Sequence, residues 1–326
     1  MCAVFRARRR AELRLALASV LVCLGLAEGV ARWLDLGRPR PTGYAPVNTG
    51  RGTKQQLNTR GYRDRERSLA KPPGTRRIVV LGDSFAWGYG VEMEDAFPQR
   101  LERIFNRRRS EPWEVVNLSR PGMNTADQAA QLAGEGVAYE PDAVLLGYVL
   151  NDAEETAVAE ARRAQDWTAP RPWGVLDRSH LARWVWGRVW ATAEARHRVA
   201  GFRALYRNDA PGWRNTRAAL EAMGRLCRER GIPFVVAVFP LFGSPLDADY
   251  PFEALHHQIV RTAGQAGARV IDLREAYRNL RWELLVVDGV DDEHPNEIAH
   301  RLAASAIRPV IEEVVPLYSP TPESAP

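Results

Sequence analysis

The stretch Arg77-Ile78-Val79-Val80-Leu81-Gly82-Asp83-Ser84-Phe85 joins an apolar run to a short polar turn. A run of Ile, Val and Leu without polar alternation is typical of a strand that is buried on both faces of a parallel sheet. Ser84 would then lie in the turn at the carboxyl end of this strand, where doubly wound sheets bind their ligands. The stretch therefore predicts both a class of fold and the place of a site.

Strands and helices alternate on both sides of this stretch. Such alternation predicts right-handed crossovers and a parallel sheet that is covered by helices on both faces. The strands are expected at 77–81, 114–118, 143–150, 233–239 and 269–272, and the helices near 96–108, 125–137, 216–231, 252–266 and 297–315. We therefore expect an α/β fold with a flavodoxin-like, doubly wound, five-stranded parallel sheet in the order 2-1-3-4-5.

A second set of polar residues, near the C-terminus, could activate Ser84. A serine hydroxyl needs an imidazole to take its proton, and the imidazole needs a carboxylate to fix its tautomer. Asp291 and His294 are three residues apart, and one helical turn would bring them to one side. The chain order Ser, Asp, His is that of the α/β-hydrolases, although no G-x-S-x-G motif surrounds Ser84. Asp288 and Asp292 remain alternative partners for the histidine.

The motifs resemble those of the SGNH hydrolases, also called the GDSL esterase/lipase family. The first family motif, which carries the nucleophile, looks like Gly82-Asp83-Ser84-Phe85. The second resembles Asn117-Leu118-Ser119-Arg120-Pro121-Gly122-Met123-Asn124-Thr125. The resemblance implies that Gly122 donates a backbone N–H to the oxyanion hole. It extends over roughly residues 77–315, apart from a large insertion after Asp152.

The third and fourth family motifs supply the remaining groups. The third ends in Asn-Asp behind a strand, and the resemblance gives Asn151 the role of side-chain donor in an oxyanion hole shared with Ser84 and Gly122. Val149 stands where the family usually has glycine. The last motif, D-x-x-H-P, makes Asp291 the acid and His294 the base of the triad.

The resemblance implies a serine esterase. We expect it to remove a small acyl group, such as acetyl, from an envelope carbohydrate. Two other hypotheses are an O-acyltransferase with the same triad and a non-catalytic module that binds envelope carbohydrate. No metal or organic cofactor is expected, because the sequence has no P-loop, no clustered Cys/His ligands and no complete G-x-G-x-x-G fingerprint. The pair His256-His257, on a predicted helix, is expected to be exposed.

Positive charge is concentrated in an N-terminal arm. The whole chain has a net charge of +5, whereas residues 1–75 carry 15 Lys+Arg against 5 Asp+Glu, or +10, which leaves −5 for the rest. This distribution argues against a nucleic-acid partner. Arginines from Arg6 to Arg14 precede the apolar run Leu15–Ala27, a pattern that keeps the N-terminus cytoplasmic and exports the rest. We expect an uncleaved signal anchor, with a signal cleaved after Ala27 as the alternative.

The predicted organisation has four parts: a basic segment and membrane helix over 1–36, a linker over 37–75, the hydrolase domain over 76–315, and a disordered tail over 316–326. A charged residue such as Glu28 is unfavourable in a membrane helix, and Arg32, four residues further on, could form an ion pair with it. Within the linker, residues 58–66 are interpreted as a solvated charge run, with packing beside the active site as the alternative.

An insertion of about 153–215 leaves the predicted sheet directly after Asn151, which would place it over the catalytic mouth. It contains six of the ten tryptophans: Trp167, Trp173, Trp184, Trp186, Trp190 and Trp213. Helical spacing puts Leu181, Trp184 or Val185, and Val189 on one face. We interpret this face as the small core of a helical lid. A sugar-stacking surface and a membrane-resting surface are the alternatives.

Overall fold

The structure is a computed structural model, and it describes residues 2–36, 57–107, 111–155, 176, 178–287 and 293–315. The chain divides into two compact units. One consists of residues 1–41 and 165–198, and the other of residues 42–164 and 199–326. The second unit holds the sheet, and each unit is described by itself below.

The second unit is built on five strands: β1 Arg76–Gly82, β2 Trp113–Asn117, β3 Ala143–Tyr148, β4 Phe234–Val238 and β5 Arg269–Asp272. All neighbours pair in parallel, in the order β2-β1-β3-β4-β5. This result confirms the predicted doubly wound fold. The central strands β3 and β4 are buried along their whole length, as their continuous apolar sequences indicate.

The helices are α1 Cys2–Trp33, α2 Ser84–Trp87, α3 Phe97–Asn106, α4 Thr125–Gly134, α5 His180–Leu205, α6 Pro211–Glu229, α7 Glu253–Gln265, α8 Arg274–Tyr277 and α9 Glu297–Val314. Each predicted core helix is found. The largest difference is at α6, which begins at Pro211 rather than near 216, because proline is well suited to the first turn of a helix. In the packing around the sheet, α3 contacts α9, and α4 contacts α6.

The middle of the segment 58–66 packs into the second unit, whereas residues 59–61, 65 and 66 are exposed. The interpretation of the segment as a solvated charge run is therefore wrong for its middle. Tyr62, Arg63 and Asp64 are each less than 5% exposed. Their polar groups have partners there: Asp64 Oδ2 accepts from the backbone N–H of Asn117 at 3.1 Å, and the Tyr62 hydroxyl donates to Glu135. A charged segment can be buried in this way because its charges and donors are satisfied.

His256 is also buried, which contradicts the expectation that it is exposed. Its Nδ1 lies 2.9 Å from Asp272 Oδ1 at the end of β5, and its Nε2 lies 3.2 Å from the Tyr250 hydroxyl. Both partners come from other elements, so the helical spacing of α7 gave no sign of them. His257, the next residue, is exposed as expected.

The first unit contains α1 and the beginning of α5. Residues 8–33 form a helix that is long and apolar enough to cross a membrane. The predicted pair of Glu28 and Arg32 is present, with an N–O distance of 2.8 Å. Val185 and Val189 on α5 are 46% and 61% exposed, so the interpretation of this face as a lid core is wrong at both positions.

The tryptophans of the insertion differ in their surroundings. Trp213 is buried in the second unit, where its ring centroid lies 4.9 Å from that of Tyr206. Trp184 and Trp186 are half-buried. Trp167 and Trp173 lie outside the described residues. Trp213 is therefore part of the domain core, and the expected lid over the catalytic mouth stays a prediction.

Candidate active site

Ser84 lies where the carboxyl end of β1 turns into α2. Gly82 makes this turn possible, because it has a φ of +157° and a Cβ there would lie 2.6 Å from Ala86 Cβ and 3.0 Å from the Gly147 carbonyl oxygen. Asp83 caps α2, and its Oδ1 accepts from the backbone N–H of Phe85 at 2.9 Å. The serine is thus held half-buried at the edge of the sheet where the sequence predicted it.

His294 is brought to Ser84 by the segment before α9. Its Nε2 lies 2.8 Å from Ser84 Oγ, a hydrogen-bonding distance. The backbone of the segment is fixed because Val287 N–H donates to the His294 carbonyl at 3.0 Å, and Asn296 caps α9. His294 itself lies outside a helix, since α9 begins only at Glu297, and the rest of the predicted turn, with Asp291, lies outside the described residues.

The predicted acid lies outside the described residues. This applies to Asp291 and equally to its alternatives, Asp288 and Asp292. The carboxylate partner of His294 therefore stays a prediction.

Asn151 lies in the turn after β3, and its Nδ2 donates to Asp83 Oδ2 at 3.0 Å. The same Asp83 oxygen lies 3.4 Å from Ser84 Oγ. Val149, where the family has glycine, has φ −126° and ψ 157°. Because any residue adopts such extended backbone, the valine causes no strain in this turn.

Gly122 is placed at the same edge of the sheet by the loop after β2. The backbone N–H of Arg120 donates to the Gly82 carbonyl at 3.2 Å, which ties this loop to the end of β1. Gly122 itself has a φ of +83°, a left-handed conformation that favours glycine. Ser84, Asn151 and the Gly122 loop thus meet at the carboxyl ends of β1, β2 and β3.

Two buried carboxyl groups lie beneath these residues. Burial raises the pKa of Asp83, although the N–H of Phe85 and the amide of Asn151 lower it in part. Burial and the neighbouring charge of Asp83 hold the pKa of Asp152 well above its usual value, despite hydrogen bonds from Val149 and Gln128. Each carboxyl therefore disfavours ionisation of the other.

Tyr89 is a site residue that the sequence did not indicate. Its ring centroid lies 4.6 Å from that of His294, and the side chain is 44% exposed. Arg63 supports the loop that carries it, because its guanidinium donates to the carbonyls of Trp87, Gly88 and Val91. The sequence pointed to Arg63 only through the alternative that residues 58–66 pack beside the active site, and it gave no sign of Tyr89.

Within the described part of the chain, no group of three or more His, Cys, Asp or Glu side chains is placed to hold a metal ion. The described part of the site consists of a serine hydroxyl, an imidazole, a side-chain amide and the Gly122 loop.

This combination is found in a known family, and residues 80–302 match the model of the GDSL-like lipase/acylhydrolase family. The chain belongs to this family. As a family member, the protein is a hydrolase that acts on ester bonds. A comparison with curated proteins finds no match.

Solved structures with similar folds have low sequence identity to this hydrolase. TesA is 15% identical, with 73% of this chain and 99% of that chain covered and a TM-score of 0.46. The lipase/acylhydrolase from Enterococcus faecalis is 19% identical, with 73% and 96% covered and a TM-score of 0.44. Axe2, an acetylxylan esterase from Geobacillus stearothermophilus, is 14% identical, with 73% and 94% covered and a TM-score of 0.46. The family assignment therefore depends on the sequence match.

Proposed function

We propose that this hydrolase is a membrane-anchored, extracytoplasmic serine esterase that removes a small acyl group, such as acetyl, from an envelope carbohydrate. The observation that carries the ester chemistry is the 2.8 Å contact between His294 Nε2 and Ser84 Oγ. The substrate class is proposed from the exported compartment and from the family, not from a contact in the site.

In the first half of the reaction, Ser84 Oγ attacks the carbonyl carbon of the ester. His294 Nε2 takes the hydroxyl proton as the C–O bond forms, and then gives that proton to the oxygen of the departing sugar hydroxyl. The acyl group remains on Ser84. We propose Asp291 as the carboxylate that holds the imidazole in the tautomer with Nε2 free to accept.

In the second half, a water molecule takes the place of the sugar hydroxyl. His294 removes a proton from this water as its oxygen attacks the acyl carbon. The imidazolium then returns the proton to Ser84 Oγ as the acid leaves. The enzyme ends in the state in which it began, and the overall reaction is hydrolysis of one ester bond.

The negative charge that forms on the carbonyl oxygen needs preorganised donors. We propose the backbone N–H groups of Ser84 and Gly122 and the amide of Asn151 for this role. One N–H of Asn151 is bound to Asp83, which leaves its second N–H for the oxyanion. The contact with Asp83 thereby fixes the direction of the donor before the substrate arrives.

Kinetics of the full chain with p-nitrophenyl acetate test the ester chemistry. We expect Ser84→Ala to lose turnover by a factor on the order of 10⁴ or more, because the nucleophile is removed while the fold is kept. Ser305→Ala, at an exposed hydroxyl on α9 that donates to the Arg301 carbonyl, is the matched control and is expected to retain activity. Near-wild-type turnover of Ser84→Ala would refute the assignment.

Product analysis separates hydrolysis from transfer. The proposal predicts free acid as the main product from an acetylated glycan, whether or not a sugar acceptor is added. Acyl groups found mainly on the added sugar would instead identify an acyltransferase.

Reporter fusions test export. A reporter that is active only outside the cytoplasm, fused after Pro41, is expected to be active, because the N-terminal arginines hold the start of the chain inside. Activity of a cytoplasmic reporter at the same junction, with a silent exported reporter, would refute this orientation.

A further inference from the structure

The first turn of α5 is bound to the C-terminal end of α1. The carboxylate of Glu28 accepts from the Ser179 hydroxyl at 2.7 Å and from the backbone N–H groups of Leu181 and His180 at 2.9 and 3.0 Å. These two N–H groups are among those that a helix leaves without partners at its start. An acidic residue near the end of the apolar part of α1 thus holds a second helix.

Further contacts fix the same junction. Arg32 Nη2 donates to the Arg178 carbonyl at 3.1 Å, and His180 Nδ1 lies 3.1 Å from the Leu36 carbonyl. Ala31 is buried beneath them. The start of α5 therefore lies at the end of α1 where, in the proposed orientation, the helix leaves the membrane.

Beyond this junction, α5 has an exposed apolar face. At about 100° per residue, Leu181, Val185, Trp186 and Val189 lie on one side of the helix over its first turns. Val185 is 46% exposed and Val189 is 61% exposed. Leaving such a face in water is unfavourable, and α1, to which this helix is bound, also exposes apolar side chains such as Leu24 and Leu26.

The same part of α5 is basic. Between residues 181 and 193 the sequence has two arginines, at 183 and 188, and no acidic residue. The Arg188 guanidinium lies 5.1 Å from the centre of the Trp184 ring. Apolar and tryptophan side chains with arginines alongside are typical of helices that lie at the interface of an anionic membrane.

We propose that residues 181–193 of α5 lie on the surface of the membrane that α1 crosses, with Val185 and Val189 in contact with lipid and the arginines beside anionic headgroups. This inference rests on the anchoring by α1 under the proposed function and does not depend on the ester chemistry. It assigns the exposed face a lipid partner in place of the expected lid core.

Site-directed spin labelling of the full chain tests the contact. Cys2, Cys23 and Cys227 are replaced by serine, and the protein is reconstituted into phosphatidylcholine vesicles that contain phosphatidylglycerol. A nitroxide is attached at Val189→Cys or, as the matched control, at Gly187→Cys. Position 187 has open space around it and lies about 160° away on the same helix. Accessibility to oxygen, which concentrates in lipid, is compared with accessibility to a water-soluble nickel chelate.

We expect the label at 189 to be several-fold more accessible to oxygen than to the nickel chelate, and the label at 187 to show the reverse. Replacing phosphatidylglycerol by phosphatidylcholine is expected to reduce the difference, because the arginines lose their anionic partners. Equal nickel accessibility at both positions would overturn the proposal. Protection of position 189 from both reagents would also overturn it, since the face would then contact protein. No effect of the lipid change would overturn the headgroup contact.

Two further measurements separate a failure of the lipid contact from a failure of the proposed function. A label at Leu21→Cys, in the middle of α1, reports on the anchor itself, and its exposure to the nickel chelate would refute both anchoring and the inference. Hydrolysis of p-nitrophenyl acetate by the labelled proteins is expected to be unchanged, since none of these positions lies among the reacting groups. A failed lipid contact with intact turnover therefore counts against the inference alone.

Discussion

At the scale of single residues, Asp83 links Ser84, the proposed nucleophile, to Asn151, the proposed oxyanion donor. One of its oxygens accepts from the helix start at Phe85, and the other accepts from the Asn151 amide. An asparagine at position 83 could not replace it, because in either orientation its NH₂ group would face one of these two donors. We therefore propose that Asp83 is a positioning residue for Asn151.

A double-mutant cycle tests this link. Asn151→Ala is expected to reduce kcat by about 10²–10³ with little change in KM, because its N–H serves charge that develops in the transition state. Asp83→Asn should reduce kcat by a similar factor, and the double variant should be little worse than either single variant. Steady-state kinetics on p-nitrophenyl acetate measure all three. Additive losses would show that the two residues act independently.

The acid of the triad can be identified by comparing three neighbours. Asp291→Asn is expected to reduce kcat by orders of magnitude, because an amide favours the wrong imidazole tautomer. Asp288→Asn and Asp292→Asn are matched controls with the same change of charge, and we expect much smaller effects. A larger loss in either control would move the role of acid to that residue.

At the scale of elements, His294, the proposed base, is held by contacts between loops rather than by a helix. Tyr89 packs against His294, and Gly90 packs so closely against Val287 that a Cβ would lie 2.6 Å from its side chain. Arg63 holds the same loop from the other side, and its guanidinium lies 4.6 Å from the centre of the Trp87 ring. The segment before the matched family region thus supports the site.

Substitution of Arg63 should affect both stability and turnover. Lysine has no planar fork to serve three carbonyls, so Arg63→Lys is expected to lower the free energy of unfolding by roughly 2–4 kcal/mol. It should also lower kcat, as the loop under Tyr89 loosens. Arg65→Lys, in the same segment but 49% exposed, should cost less than about 1 kcal/mol. Urea unfolding and kinetics measure both effects. Lower stability with unchanged kcat would restrict Arg63 to a structural role.

His300 joins α9 to the start of α3, and its Nδ1 accepts from the Phe97 N–H at 3.2 Å. Burial, together with the positive charges of Arg100 and Arg63, lowers the pKa of His300 from 6.5 to about 3. The unfolded chain therefore binds a proton below pH 6.5 that the folded chain does not. Stability from this group is present at neutral pH and is lost as the pH falls from 6.5 towards 3.

The size of this effect can be measured with His300→Asn, whose side-chain oxygen can accept from Phe97 but does not titrate. Lowering the pH from 7 to 5 should reduce the free energy of unfolding of the wild-type protein by about 2 kcal/mol because of His300. The variant should lack this loss. Asp83 and Asp152, whose pKa values are raised, change the free energy of unfolding in the opposite direction as the pH falls. Because they do so equally in both proteins, the difference between the proteins reports on His300. An equal loss in the two proteins would contradict the assigned pKa.

At the scale of the whole molecule, the sheet could be predicted because buried parallel strands leave continuous apolar runs, and Ser84 and Asn151 follow two of those runs directly. Contacts between distant segments leave no such periodic signal. Arg63, Tyr89 and the buried His256 were not predicted for this reason, since each has partners from other elements. The charge of the N-terminal arm indicated an anchor, whereas the use of Glu28 to hold α5 became apparent only from the fold.

The central claim, that Ser84 is a nucleophile activated by His294, is tested most directly by a fluorophosphonate, which forms a stable adduct with an activated serine. Mass spectrometry of the digested full chain would locate the adduct. We predict an adduct on Ser84 in the wild-type protein and none under the same conditions in His294→Ala, because the imidazole that removes the proton is missing. An enzyme that hydrolyses p-nitrophenyl acetate but carries its adduct on another residue, or labels Ser84 equally without His294, would contradict the claim.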